Sequence, residues 1–186
     1  MTLELNNTTS LFRSFMKSWL DNRMIAVDMT VGNGNDSEFL LSHNIKFLYG
    51  FDIQKRAIEI TQNRLEKSNY SNFMLFQDNH KEIKRYIQEK VDLLVYNLGY
   101  LPKGNKEITT NGIDVVESLK KGFDLLLQGG MVWITFYPGH PAGYEESIMI
   151  LDFVKGLDQR KFHVLKMDYI NQINYPPFSI ALEKRY

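Results

Sequence analysis

Apolar residues along the chain gather in five short runs: Met24–Met29, Phe47–Ile53, Phe73–Phe76, Val91–Asn97 and Met131–Tyr137. Each run is bounded by Gly, Asp or Asn and is close to continuous, the pattern of strands buried on both faces. The intervening segments Ser37–His43, Lys55–Lys67, His80–Gln88 and Asp114–Leu127 carry helical spacing. In Lys55–Lys67, for example, Ala57, Ile58, Ile60 and Leu65 fall on one side, with Glu59, Arg64, Glu66 and Lys67 opposite. Strand and helix in alternation predict a parallel sheet with helices on both faces. Two segments break that rhythm. Ser10–Leu20 reads as an additional amphipathic helix, apolar at Leu11, Phe12, Phe15, Met16, Trp19 and Leu20, with Ser10 as its N-cap. Near the other end, Phe162–Ile170 and Phe178–Glu183 are separated only by a turn region at Tyr175-Pro176-Pro177, so they should pair antiparallel. The expectation is a single α/β domain over residues 1–186, Rossmann-like, with a seven-stranded, mostly parallel sheet closed by an antiparallel hairpin.

Composition narrows the function classes. Lys plus Arg and Asp plus Glu both number 22, so no bulk positive field holds the chain to nucleic acid, although a local basic face remains open. There is no cysteine, which removes disulfides, thiolate metal sites, iron–sulfur clusters and a Cys nucleophile. No His, Asp or Glu spacing suggests a metal. The first ten residues lack a basic-then-apolar signal, and the most apolar stretch, Leu125–Tyr137, is too short to span a bilayer. These features lead us to expect a cytoplasmic protein with no membrane association.

The candidate chemistry lies at the strand ends. The first strand runs into Asp28-Met29-Thr30-Val31-Gly32-Asn33-Gly34-Asn35-Asp36. Its glycines suit a tight turn and a close backbone approach to a ligand, though a strand-to-helix turn alone would use them equally. Ser37 stands where the third glycine of the dinucleotide fingerprint would be, which counts against a pyrophosphate. Asp28, inside an apolar strand, needs donors, and the amides of its own loop are the nearest. Asp52 ends the second strand, placed to accept from ribose hydroxyls of either NAD or S-adenosylmethionine. Asp78, after the third strand, can accept from an adenine amino group or cap the next helix, and His80 follows closely enough to reach the same ligand.

The fourth strand ends in Asn97-Leu98-Gly99-Tyr100-Leu101-Pro102. Asn97 followed by Gly and Tyr100 resembles the Asn-Pro-Pro-Tyr motif of amino-methylating enzymes, with Leu98 and Gly99 in place of the prolines. That chemistry needs acceptors that hold a nitrogen nucleophile with its lone pair aimed at a methyl sulfonium, and an aromatic ring beside them. The fifth strand follows Gln128-Gly129-Gly130, expected to form a tight turn, and ends in Tyr137-Pro138-Gly139-His140-Pro141. His140 is a candidate for orienting substrate or taking a proton, against a purely structural loop role.

Taken together, the glycine loop, Gly50-Phe51-Asp52-Ile53-Gln54, Asn97-Leu98-Gly99-Tyr100-Leu101-Pro102, Ile108-Thr109-Thr110 and Tyr137-Pro138-Gly139-His140-Pro141 resemble a family of small bacterial methyltransferases. That family completes 5-methylaminomethyl-2-thiouridine at the tRNA wobble position. The resemblance implies a class I methyltransferase fold, S-adenosyl-L-methionine as methyl donor, the tRNA anticodon region as partner, and a homodimer. It places Asn33, Asn35, Asp52, Gln54, Asp78 and His80 around the cofactor, beside Asp28, Gly32, Gly34 and Asp36 of the loop. It places Asn97, Tyr100 and His140 at the acceptor amine. Arg13, Lys17, Arg23, Lys103 and Lys106 are candidate phosphate contacts or simple surface charge. Methylation of rRNA or of a small molecule, a nicotinamide oxidoreductase and a non-catalytic RNA-binding module are the competing readings.

Overall fold

A computed structural model describes residues 5–99 and 111–186. Tyr100 and residues 101–110, including Lys103, Lys106 and Ile108-Thr109-Thr110, therefore lie outside the described residues. The elements in chain order are α1 (Thr8–Trp19), β1 (Ile25–Asp28), α2 (Asn35–Leu41), β2 (Phe47–Asp52), α3 (Lys55–Lys67) and β3 (Phe73–Gln77). A 3-10 turn (His80–Glu82) then leads into α4 (Ile83–Tyr86), β4 (Val91–Asn97), α5 (Gly112–Leu125) and β5 (Leu126–Phe136). The chain continues through α6 (Pro141–Lys155), β6 (Phe162–Met167) and β7 (Phe178–Lys184).

The strands form one sheet in the order β3-β2-β1-β4-β5-β7-β6. The first five run parallel, and β7 pairs antiparallel with both β5 and β6. This is the expected seven-stranded architecture. Successive residues of the buried strands serve opposite faces. Ala26, Leu48, Leu93, Val95 and Trp133 meet α1 and α2 on one face; Val27, Leu94, Val132 and Ile134 meet α5 and α6 on the other. Trp133 lies fully buried between Phe12 and Phe15 of α1, with ring centroids at 5.5 and 5.3 Å. The predicted amphipathic first helix is thus part of the core, capped by Asn7 rather than Ser10, which donates its amide to the Asn7 side chain.

Three local expectations change, and one helix is unforeseen. Gln128-Gly129-Gly130 lies inside β5, where the register slips between Val91 and Leu93 and Gly129 takes a left-handed φ of 75°. His80–Gln88 is a 3-10 turn plus one helical turn. β6 ends at Met167. Helix α6 has no counterpart in the sequence pattern, because its core-facing Ile150 and Val154 run alongside exposed Tyr144, Ile148 and Met149 and leave no single apolar stripe.

The strand order reverses between β1 and β4, with Asp28 paired to Gly50 on one side and Val95 on the other. In open parallel sheets such a reversal opens a crevice at the carboxyl ends of the strands.

Candidate active site

A cavity of about 1430 Å³ fills that crevice. Loops after β1 to β5 line it, and residues 172–177 from the β6–β7 connection overhang it.

One half is the β1–β3 side. Asp28 is 1% exposed; its carboxylate accepts from Ser37 Oγ at 2.6 Å and from the Thr30 amide at 3.2 Å. Burial, reinforced by the charge of Asp36, pushes its carboxyl up to about 7. Asp28 does not reach the cavity wall but anchors the loop that does. Gly32 and Gly34 take left-handed φ values of 53° and 76°. At Gly34 a Cβ would also meet Thr61 at 2.8 Å, so the position is closed to larger residues by conformation and by space, and Gly34 lies behind the lining. Asp52 accepts from the Gly32 amide at 2.9 Å and the Gln54 amide at 2.9 Å, while burial pushes its carboxyl upward. Thr61 Oγ1 donates to the Gly32 carbonyl at 3.1 Å, tying α3 to the same loop.

Asp78 lines the cavity, but Tyr86 donates its hydroxyl to it at 2.6 Å and Asn79 its amide at 2.7 Å, which hold the carboxyl below its usual range. Asn79, rather than Asp78, caps the following turn. His80 is 8% exposed, with its ring edge-on to Tyr96 at 5.7 Å. Its Nδ1 is buried with no partner among the described residues, and burial holds the imidazole down to about 4, so it is neutral at pH 7. Asn33, Asn35 and Gln54 complete this wall.

The other half is built around β4. The Asn97 amide donates to Thr30 Oγ1 at 2.7 Å, and its side-chain Nδ2 donates to Asp36 Oδ2 at 3.1 Å. The Tyr137 hydroxyl lies beside the same side chain. Asn97 Oδ1 is buried and has no partner among the described residues. Tyr137, which the sequence reading passes over as a catalytic candidate, lines the cavity here with Thr8 and Thr9 beside it, so the start of α1 reaches this half. Its place at the end of the fifth strand was the available signal. Asp36, read from sequence as part of the cofactor loop, stands here with its carboxyl raised by burial. Arg13 is half-buried: its guanidinium lies 5.3 Å from the Phe39 ring centre and its charge acts on Asp36 and Glu38. Lys17 remains exposed, and Arg23 pairs with Asp21 at 2.9 Å. His140 lines the cavity and caps α6, its Nδ1 accepting from the Gly143 amide at 3.1 Å. That cap requires the neutral tautomer with the proton on Nε2.

The first half fits an adenosyl group: a left-handed glycine loop, a carboxylate held at the tip of β2 and an orphaned buried imidazole nitrogen share one wall. Among the described residues no cluster of His, Asp or Glu is placed to hold a metal ion. No described helix is long and apolar enough to cross a membrane.

The family described as "Putative rRNA methylase" matches residues 48–183. A Clostridium thermocellum structure of that same description is 37% identical, with a TM-score of 0.93 over 98% of this chain and 100% of that one. A "putative methyltransferase" of Streptococcus mutans, solved with S-adenosylhomocysteine, is 38% identical, with a TM-score of 0.89 over 97% of this chain and 99% of that one. The chloroplastic tRNA (mnm(5)s(2)U34)-methyltransferase of Arabidopsis thaliana is 33% identical over 159 residues, or 78% of this chain. The alignment spans 58% of that plant protein's length. The chain belongs to the family described as "Putative rRNA methylase" and is an S-adenosylmethionine-dependent methyltransferase of the class I fold.

Proposed function

We propose that the protein methylates RNA, and that its acceptor is the amine of 5-aminomethyl-2-thiouridine at the tRNA wobble position, giving 5-methylaminomethyl-2-thiouridine. The observation that carries this reading is Asn97: a side-chain oxygen buried at the tip of β4, without a partner among the described residues, beside the cofactor wall. Such an acceptor suits an amine N–H and would be left unsatisfied without one. The plant relative's activity supports the choice of acceptor.

S-adenosylmethionine supplies a methyl group on a sulfonium, which leaves as the neutral thioether when an amine lone pair forms the new C–N bond. Asp52 accepts from the ribose hydroxyls with its remaining lone pairs. Gly32, Asn33 and Asn35 present the loop to the cofactor, with Gly34 shaping the turn behind them, and Gln54, Asp78 and His80 border the adenosine. Asn97 holds the amine, with His140 on the acceptor side. An alkylammonium has no lone pair, so the acceptor sheds a proton before attack, and most of the acceleration comes from positioning. The same reading makes the protein a cytoplasmic homodimer that works on the tRNA anticodon region.

The test is nucleoside mass spectrometry on bacterial tRNA lacking the terminal methyl, incubated with the protein and S-adenosylmethionine. Conversion to the methylamino nucleoside is expected. No conversion on this tRNA, with methylation of rRNA or of a small amine instead, would overturn the wobble assignment.

A further inference from the structure

We infer that Asp36 is a positioning residue for the acceptor, acting through Asn97 by fixing which end of its amide faces the bound amine. The inference rests on Asn97 being the group that holds the amine. A primary amide carries two donors on nitrogen and one acceptor on oxygen, in nearly the same shape either way round. Turned over, Asn97 would present N–H to N–H, and the acceptor would be lost. A carboxylate only accepts, so Asp36 Oδ2, 3.1 Å from Asn97 Nδ2, pins the nitrogen on its own side. The oxygen is then left buried and unpartnered among the described residues. The Asn97 backbone is fixed separately through Thr30 Oγ1. Asp36 is itself held in place, because its neighbour Ser37 is tied to Asp28 at 2.6 Å.

Three charged or titratable groups face Asp36 from the surrounding elements. Arg13 of α1 favours its anionic form, and that negative charge in turn disfavours ionisation of Asp28 at the end of β1 and of the Tyr137 hydroxyl after β5. Burial raises the Asp36 carboxyl above its ordinary range. A protonated Asp36 becomes a donor as well, and its hold on the amide is lost. The transfer rate therefore falls with acid for two independent reasons, protonation of the amine and protonation of Asp36.

The experiment compares the native protein with Asp36→Asn and Asp36→Glu in S-adenosylhomocysteine titrations and single-turnover methylation of the aminomethyl tRNA. Asp36→Asn should bind S-adenosylhomocysteine within about twofold of native and keep its KM for tRNA, while the single-turnover rate falls about 100-fold. Asp36→Glu, which also only accepts, should recover part of that loss. On the acid side, the slope of log rate against pH should steepen from one to two in the native protein and stay at one in Asp36→Asn. A rate within about threefold of native in Asp36→Asn, or a rate loss matched by lost cofactor binding, would overturn the inference. Side-chain NH₂ resonances of Asn97, identified by their disappearance in Asn97→Ala, supply a readout independent of substrate. They should titrate with Asp36 in the native protein and not in Asp36→Asn. If the native protein binds S-adenosylhomocysteine but leaves this tRNA unmethylated, the wobble assignment fails while this titration still decides the role of Asp36.

Discussion

The two halves of the cavity are assembled from different depths of the sequence. On the β1–β3 side, polar contacts join residues close along the chain: Asp28 to Ser37, Asp52 to Gln54, and Gly32 to Asp52 across twenty residues. One βαβαβ unit makes that wall. The wall around β4 gathers Asn97 with Thr30 across 67 residues and with Asp36 across 61, and draws Thr8 and Thr9 of α1 to Tyr137. A wall of the first kind suits a task shared by many methyltransferases, and one of the second kind suits a task particular to one acceptor. If the division is functional, substitutions in the two halves should break different steps.

The largest effect is expected at Asn97→Ala. Losing the acceptor oxygen should lower the methylation rate by about 10²–10³ while S-adenosylhomocysteine titrations stay near native. Equal loss of cofactor affinity would merge the two halves into one.

Asp52→Ala should act in the opposite sense. It removes the carboxylate that accepts from the Gly32 and Gln54 amides, so cofactor affinity should fall by about 1.5–3 kcal/mol by calorimetry. Saturating S-adenosylmethionine should restore most of the rate. A rate that stays low at saturation would show that the loop geometry also governs the transfer step.

The smallest effect concerns stability. Asp28 has a folded value of about 7 against an ordinary value of 3.8, so the folded state keeps a proton that the unfolded chain releases. Its stabilising contribution is therefore complete below the unfolded value and is lost as pH rises through about 7. Relative to Asp28→Asn, native stability should drop by about 1–2 kcal/mol between pH 5.5 and 7.5, read from urea midpoints. A flat difference across that interval would mean that Ser37 and Thr30 keep Asp28 ionised throughout.

The same contrast explains what was legible in the sequence. Strands with sharp Gly, Asp and Asn boundaries betray themselves through continuous apolar runs, and acids at their ends follow directly, which is how Asp52 and Asp78 come into view. Helix α6 stays hidden because Tyr144, Ile148 and Met149 are apolar yet exposed. Asp36 is visible only as a neighbour of the glycine loop; nothing in spacing reports that its carboxylate turns to a strand tip 61 residues away. His140 looks like a site residue between two prolines, and its capping task appears only once α6 exists. Arg13 reads as surface charge because the Phe39 ring beneath it lies in a different helix.

The position of β7 has a consequence for the order of synthesis. β7 is the last strand in the chain, yet it sits inside the sheet, with β5 on one side and β6 on the other. Until it emerges from the ribosome, β5 has an open edge and β6 has no strand to pair with. The β1–β4 part of the sheet can form earlier, on residues already made, whereas Trp133 and Thr135 on β5 gain their second neighbours, Ala181 and Ser179, only once β7 has followed. A nascent chain halted before Phe178 should therefore hold an unpaired strand beside the β4 wall and be a target for chaperones that recognise sheet edges.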